Sequence, residues 1–197
     1  MLIAFEGIDG AGKTSQARLL ADWLESEGSL VVISHEPTNG PWGTKLRESA
    51  SSGRSAPEEE LDLFLKDRKQ HVEELIQPSL NKGVTVILDR YYFSNMAYQG
   101  ARGLNPSRIR EVNEAFAPVP DFLFILDLEV DLALQRIGSR GDIANEFEKR
   151  DALQDCRDIF NTLENEAFAH IIDASKSLDE VHSMIREILS GGTRPTT

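Results

Sequence analysis

The strongest constraint on the fold lies in the first fourteen residues. Residues 7–14 read GIDGAGKT, which fits the pattern G-x-x-x-x-G-K-[ST]. The apolar run Leu2–Phe5 precedes this pattern, and apolar residues recur at helical spacing after it. A strand, a glycine-rich loop and a helix in this order are typical of a phosphate-binding loop, in which backbone N–H groups and a helix N-terminus surround phosphate oxygens. The flanking strand and helix disfavour the alternative of a glycine-rich turn with chance residues.

The pattern also predicts which side chains handle the phosphates. Lys13 is expected to reach the β- and γ-phosphates, and the Thr14 hydroxyl is expected to bind Mg²⁺. The sequence therefore predicts a nucleoside triphosphate site. Its predicted residues are Gly7, Asp9, Gly10, Ala11, Gly12, Lys13, Thr14 and Ser15, and the predicted metal ligands are Thr14 and Asp89.

Composition limits the class of protein. A chain of 197 residues with 40% hydrophobic and 27% charged residues suits one soluble globular domain. We expect that domain to cover 1–190 and a disordered tail to cover 191–197. No apolar stretch approaches the ~20 residues of a membrane helix, and nothing resembles a signal peptide. The single cysteine, Cys156, excludes an intrachain disulfide, favours a reducing cytoplasm and is interpreted as a packing residue.

The net charge of −12 argues against nucleic-acid binding and leaves a question about phosphate binding. A phosphate-handling site needs positive potential, so basic residues must be concentrated locally. The residues expected to form that cluster are Lys13, Arg47, Arg68, Arg90 and the arginines between Arg136 and Arg150.

Apolar, β-rich runs alternate with helical patterns along the chain. This alternation predicts an α/β fold with a five-stranded parallel sheet between two layers of helices. Ligands bind beyond the carboxyl ends of such strands. The predicted strands are Leu2–Phe5, Leu30–Ser34, Val84–Leu88, Phe122–Asp127 and His170–Asp173. Helices are predicted near 13–27, 43–50, 57–81, 91–99, 106–116, 130–137, 150–168 and 178–189, with Pro78 expected to shorten or bend the third.

A second motif follows the third predicted strand. Asp89-Arg90 places a guanidinium at the mouth of the sheet, where arginine can fork onto a phosphate in a way that lysine cannot. For an isolated pair, a surface ion pair would be the alternative. Residues 89–100 read DRYYFSNMAYQG, and residues 63–68 read LFLKDR.

Together with the loop at 7–14, these segments resemble the thymidylate kinase family. Further matches are Glu36-Pro37-Thr38, Leu126-Asp127 and Ile172-Asp173-Ala174-Ser175. The resemblance extends from Met1 to about Leu189, with the motifs in the expected order. It implies a three-layer P-loop kinase fold with a short lid near 138–150.

The helix at 57–81 carries a pair of side chains suited to reading a base. Phe64 and Arg68 are four residues apart and share a helical face. The ring can stack on a pyrimidine while the guanidinium donates to an exocyclic oxygen, which the resemblance identifies as O4 of thymine. Core packing is the alternative for Phe64, although Leu61 and Leu65 could fill that core.

The resemblance implies transfer of the ATP γ-phosphoryl group to the 5′-phosphate of dTMP, and it implies Mg²⁺, nucleotide partners and a homodimer. It carries Ser94 and Asn95 to the base edge, Tyr98 to the position of a ribose 2′-hydroxyl, and Asp9 to the acceptor 3′-hydroxyl or a magnesium-linked contact. Helix capping and packing remain the alternative for Asn95 and Gln99. The predicted acceptor residues are Asp9, Glu36, Pro37, Phe64, Arg68, Arg90, Ser94, Asn95, Tyr98 and Gln99, and the predicted catalytic residues are Lys13, Arg90, Asp9, Arg140 and Arg150.

The chain departs from the family pattern in two places. His35 stands where the family often has an arginine before Glu-Pro, so Arg47 is a candidate replacement, and a turn residue without ligand contact is the other interpretation. Glu146 stands where a lid arginine is expected. Arg140, Lys149 or Arg150 could replace it, and Arg140 or Arg150 is predicted to supply that cation, against the alternative that each is a solvated surface charge.

Two other functions stay open from sequence. One is phosphorylation of another pyrimidine nucleotide or nucleoside, such as dUMP or UMP, because one methyl group discriminates only ~1–3 kcal/mol in an apolar pocket. The other is a catalytically weak nucleotide-binding relative, which the substitutions at His35 and Glu146 suggest. The intact Lys13, Asp89 and Arg90 argue against the second.

Overall fold

The computed structural model of the protein describes residues 1–53, 55–139 and 150–191. Its sheet has five parallel strands in the order β2-β3-β1-β4-β5. The strands are β1 (Leu2–Glu6), β2 (Val31–His35), β3 (Thr85–Asp89), β4 (Phe122–Asp127) and β5 (Ala169–Asp173). With helices on both sides of this sheet, the predicted α/β class of the P-loop kinases is confirmed.

The helices follow the predicted order with altered bounds. They are α1 (Lys13–Ser26), α2 (Pro41–Ser52), α3 (Pro57–His71), α4 (Gln77–Asn81), α5 (Tyr92–Tyr98), α6 (Pro106–Glu114), α7 (Val130–Ser139), α8 (Arg150–Asn161) and α9 (Leu178–Leu189). Residues 57–81 are helical as predicted, but a π-helical turn at Val72–Ile76 divides this run into α3 and α4. Pro78 has no backbone N–H to donate, so regular helical bonding cannot continue through it. The prediction for 150–168 was too long, because α8 ends at Asn161.

The core lies around the central strands. Every residue of β1 is buried, and the Phe5 and Phe124 rings stack with centroids 5.4 Å apart. Burial on both faces explains why these strands read as continuous apolar runs rather than alternating ones. Cys156 is also buried, as expected for a packing residue.

The strand register brings three loops together. Asp89 at the end of β3 pairs in register with Phe5 of β1 on one side and with His35 of β2 on the other. The segments that follow these strands therefore start side by side at one edge of the sheet, where parallel sheets bind their ligands.

Several sequence predictions lie outside the described residues. These are Arg140, Glu146 and Lys149, with most of the lid expected near 138–150, and all but the first residue of the tail. The division into one domain and a lid stays a prediction. In the described part of the chain, no helix has the length and apolarity needed to cross a membrane.

Candidate active site

The loop after β1 requires glycine at several positions. Gly7, Gly10 and Gly12 have φ angles of 133°, 86° and 96°, in the region that side chains disfavour. A Cβ atom at Gly7 would lie 2.5 Å from the Leu126 carbonyl oxygen, and one at Gly10 would lie 2.8 Å from that of Ala133. Both conformation and close backbone approach therefore demand glycine here.

Lys13 lies in the first turn of α1 and is buried within this loop. Its Nζ donates to the carbonyl oxygens of Gly7 and Ile8, at 3.0 and 2.9 Å. Burial, together with the charge of Arg90, lowers the pKa of Lys13 to about 8. The ammonium thus lies next to the loop amides, where a phosphate would provide a counter-charge.

A polar cavity of about 170 Å³ opens beside the loop. Within it, the Thr14 hydroxyl donates to the Asp89 carboxylate at the end of β3. The hydroxyl and carboxylate oxygens suit Mg²⁺. This ion usually binds only one or two protein oxygens and completes its coordination with water and substrate phosphates. In the described ranges, no cluster of three or more His, Cys, Asp or Glu residues could hold a metal. The cavity is lined by Asp9, Gly10, Gly12, Lys13, Thr14, Ser15, Asp89 and Arg90.

Arg90 directly follows β3 with a φ angle of 72°. A bulky residue in this region is uncommon, and such residues cluster at functional sites. Its guanidinium forms an ion pair with Asp9, donates to Ser94 Oγ at 3.1 Å and lies 5.2 Å from the Tyr98 ring. Although burial opposes the shift, the charges of Arg90 and Lys13 lower the pKa of Asp9 below its usual value.

Glu6 is a site residue that the sequence analysis missed. Its side chain is fully buried and accepts the backbone N–H groups of Tyr91 (2.7 Å) and Ser94 (2.9 Å) and the Ser94 hydroxyl (2.6 Å). Burial raises the pKa of Glu6 to about 7, against the opposing charge of Arg90. The available signal was a carboxylate between an apolar strand and the glycine-rich loop.

A second cavity, of about 200 Å³, lies on the other side of Arg90. All the predicted acceptor residues line it, and Tyr91 joins them. The lining consists of Asp9, Glu36, Pro37, Phe64, Arg68, Arg90, Tyr91, Ser94, Asn95, Tyr98 and Gln99. Because Asp9 and Arg90 line both cavities, the two spaces meet at this ion pair.

Arg68 is fixed in the wall of the second cavity by buried partners. Its Nε and one terminal nitrogen donate to Glu36 Oε2 at 2.8 and 2.5 Å, and the other terminal nitrogen donates to Asn113 Oδ1 at 2.5 Å. His71 Nδ1 lies 3.0 Å from the second Glu36 oxygen. Despite burial, the charge of Arg68 and the bond from His71 lower the pKa of Glu36. A guanidinium has five N–H donors, so donors remain for a ligand. Asn113 and His71 were not predicted.

Phe64 is half-buried and lines the second cavity. Leu61, on the same helix, packs against the core, whereas Phe64 lies outside the core cluster found among the described residues. This placement disfavours the alternative in which Phe64 serves as a core residue.

Asn95 and Gln99 are joined to each other inside the same wall. Asn95 Nδ2 donates to Gln99 Oε1 at 3.0 Å, and Gln99 Nε2 donates to Glu60 Oε2 at 2.9 Å. The side-chain oxygen of Asn95, Oδ1, is buried and has no hydrogen-bond partner within the described part of the chain. Such an orphaned acceptor calls for an explanation, and a ligand donor is one.

Of the residues connected with the two family departures, the structure describes His35, Arg47 and Arg150. The His35 ring and the Arg47 guanidinium both contact the Pro37 carbonyl oxygen, at 2.9 and 3.2 Å. Arg150 forms an exposed ion pair with Asp131. None of His35, Arg47 and Arg150 lines either cavity in the described structure.

Two cavities that share an arginine, one of them built around a phosphate-binding loop, suit transfer of a phosphoryl group between two bound nucleotides. On a five-stranded parallel sheet this arrangement defines a P-loop nucleoside monophosphate kinase. The family model for thymidylate kinase matches residues 5–185. The chain belongs to the thymidylate kinase family.

Curated relatives agree with this assignment. The thymidylate kinase of Xanthomonas campestris pv. campestris (strain B100) is 54% identical over 181 residues, which cover 92% of this chain and 79% of the relative. The thymidylate kinase of Xylella fastidiosa (strain M12) is 52% identical over 193 residues, covering 96% of this chain and 88% of the relative. The residues that the family model matches include the lining of both cavities.

Proposed function

We propose that this protein transfers the γ-phosphoryl group of ATP to the 5′-phosphate of dTMP, yielding dTDP and ADP. The observation that carries the proposal is the meeting of the two cavities at Arg90 and Asp9. A donor phosphate chain held by the loop and an acceptor phosphate held by Arg90 would face each other there. The relatives named thymidylate kinase support the same acceptor.

The reaction needs positioning and charge neutralisation more than covalent help. The bond from the γ-phosphorus to the bridging oxygen of ADP breaks, and a new bond forms to an oxygen of the acceptor phosphate. That oxygen is already ionised, so no general base is required. Lys13 neutralises the donor phosphates, and Arg90 orients the acceptor. Mg²⁺, held by Thr14 and Asp89 when bound, supplies further neutralisation of the triphosphate.

The second cavity has the donors and acceptors that suit thymine. In this proposal Arg68 donates to O4, the unpartnered Asn95 oxygen accepts from N3–H, and Phe64 stacks on the ring. Tyr98 lies beside the ribose and Asp9 receives the 3′-hydroxyl. Cytosine has an amino donor at position 4 and an acceptor at N3, so it would oppose both polar contacts.

The proposal retains the homodimer and the cytoplasmic location expected from sequence. Light scattering on the purified protein tests the dimer, and cell fractionation with an antibody tests the location. A monomer at micromolar concentration, or recovery outside the cytoplasmic fraction, would count against the respective prediction.

An acceptor panel tests the proposed reaction. Purified protein is incubated with Mg²⁺, ATP and one of dTMP, dUMP, UMP, dCMP or thymidine, and ADP release is followed. We expect turnover with dTMP well above that with the others. Faster turnover with another acceptor would overturn the dTMP assignment. Nucleotide binding without any turnover would instead favour the catalytically weak relative.

A further inference from the structure

A relay of buried, hydrogen-bonded side chains connects α3 to the wall of the second cavity. Glu60, Gln99 and Asn95 are 3%, 1% and 1% exposed, and they are joined in that order. Arg102 donates to the same Glu60 oxygen that accepts from Gln99, at 2.6 Å, and also to the Ser55 carbonyl oxygen at 2.8 Å. Glu60 itself does not line the cavity.

Glu60, at one end of this relay, determines how the side-chain amides of Gln99 and Asn95 are oriented. A guanidinium has only donors, so the Glu60 oxygen that it contacts is an acceptor. Gln99 must therefore turn its amide nitrogen toward Glu60 and its oxygen toward Asn95. Asn95 must in turn direct its amide nitrogen to Gln99. The side-chain oxygen of Asn95 is then left without a partner, and it is one of the buried polar atoms that have none in the described structure.

We propose that Glu60 is a specificity-determining positioning residue, which acts through Gln99 to keep the side-chain oxygen of Asn95 as the acceptor for the base. The proposal rests on the proposed function, because it concerns the base of the acceptor nucleotide. A base with N–H at position 3 and a carbonyl at position 4 matches the Asn95 oxygen and the Arg68 donors. Cytosine has the opposite pattern, and buried polar groups left unpaired discriminate strongly.

Glu60→Gln in an Arg102→Met background tests the relay. Without the guanidinium, which demands an acceptor at this position, the new amide can donate to the Gln99 oxygen. The Arg102→Met protein is the reference for this variant, and the control below carries the same background. Both downstream amides can then reverse, and Asn95 would offer its NH₂ group instead of its oxygen. Activity is compared for dTMP and dCMP. We expect kcat/KM for dTMP to fall at least about tenfold while that for dCMP does not fall. The preference for dTMP, which is the ratio of the two kcat/KM values, should therefore fall at least about tenfold.

Glu59→Gln is the matched control, since it makes the same chemical change on an exposed neighbouring residue. We expect it to leave both kcat/KM values unchanged. A merely structural role for Glu60 would lower both values of the Glu60→Gln variant by the same factor, and that result would overturn the proposal. An unchanged preference would overturn it as well.

A second variant keeps the test informative if Glu60→Gln does not fold. Gln99→Met interrupts the relay without changing charge and frees Asn95 to rotate, so the preference for dTMP should again narrow. Retention of the full preference would overturn the proposal. A wild-type protein without dTMP turnover would contradict the proposed function instead, and calorimetric affinities for dTMP and dCMP in the same variants would still decide on the relay.

Discussion

Lys13 and Arg68 are buried, and Arg90 is largely so, in a chain whose net charge is −12. Arg68 and Arg90 each have a carboxylate partner, while Lys13 is held by carbonyl oxygens. Buried charges need such partners, since desolvation without them costs several kcal/mol. The acidic surface and the cationic site are therefore compatible, because local geometry rather than net charge sets the potential that a phosphate meets.

Lys13→Met should remove most of the activity. Loss of one preorganised electrostatic contact costs roughly 3–4 kcal/mol in the transition state, which corresponds to a fall in kcat of about 10²–10³-fold. Steady-state kinetics with ATP and dTMP measure the effect. Lys82→Met, on an exposed lysine, is the control and should behave as wild type. A Lys13→Met enzyme with near-normal kcat would contradict the assigned role.

Two helices fix the loop that carries Glu36 and Pro37. Asp67 of α3 accepts from the backbone N–H and the hydroxyl of Thr38, at 2.7 and 2.6 Å. From α2, Gly43 approaches so closely that a Cβ atom there would lie 1.9 Å from the Thr38 carbonyl oxygen. The second cavity therefore depends on helix packing as well as on its own lining.

Gly43→Ala should weaken acceptor binding selectively. The added methyl group must push the Thr38 backbone away, and that shift displaces the loop carrying Glu36. We expect KM for dTMP to rise about tenfold or more while KM for ATP stays unchanged, because the phosphate-binding loop belongs to a different segment. Thr44→Ala, on the exposed face of the same helix, serves as the control. A normal KM for dTMP in the Gly43→Ala enzyme would refute this dependence.

The lid prediction belongs to the segment between α7 and α8. If Arg140 or Arg150 supplies the lid cation, replacing that residue by alanine should lower kcat about tenfold or more without changing thermal stability. Arg150 would have to leave its exposed pair with Asp131 to do so. Arg108→Ala, which removes an exposed arginine on α6, is the control. Full turnover in both single variants would show that the hypothesis is wrong.

At the scale of the whole molecule, Glu6 couples stability to pH. Its folded-state pKa is about 7, against an ordinary value of 4.5, so between these values the folded protein binds a proton that the unfolded chain has lost. The free energy of unfolding contributed by Glu6 is therefore full below pH 4.5 and falls as the pH rises to about 7. The total loss is on the order of 3 kcal/mol.

Glu6→Gln should remove this part of the pH dependence. Urea unfolding of wild type and variant at several pH values from 4.5 to 8 measures it, and the difference in unfolding free energy should shift in favour of the variant as the pH rises. Glu27→Gln, on an exposed carboxylate, should show no such trend. Parallel curves for Glu6→Gln and wild type would contradict the raised pKa.

Local pattern was enough to predict the class of fold and the triphosphate loop. Strand and helix periodicity, and a loop whose glycines are required by the backbone, depend on residues adjacent in the chain. The same holds for Phe64 and Arg68, which one helical face brings together. Local pattern did not predict the π-helical turn before Pro78 or the end of α8 at Asn161.

The sequence by itself determined the order of the motifs along the chain, the glycine-rich loop and all but one of the residues that line the second cavity. Only the tertiary structure decided how those residues are held: Glu6 under the start of α5, Asn113 on Arg68, and Glu60 behind Gln99 and Asn95. These bonds join residues 39 to 88 positions apart. Periodicity reports which face a residue occupies but not which distant partner that face meets, so the partners, the direction of the amides and the shifted pKa values arise from packing alone.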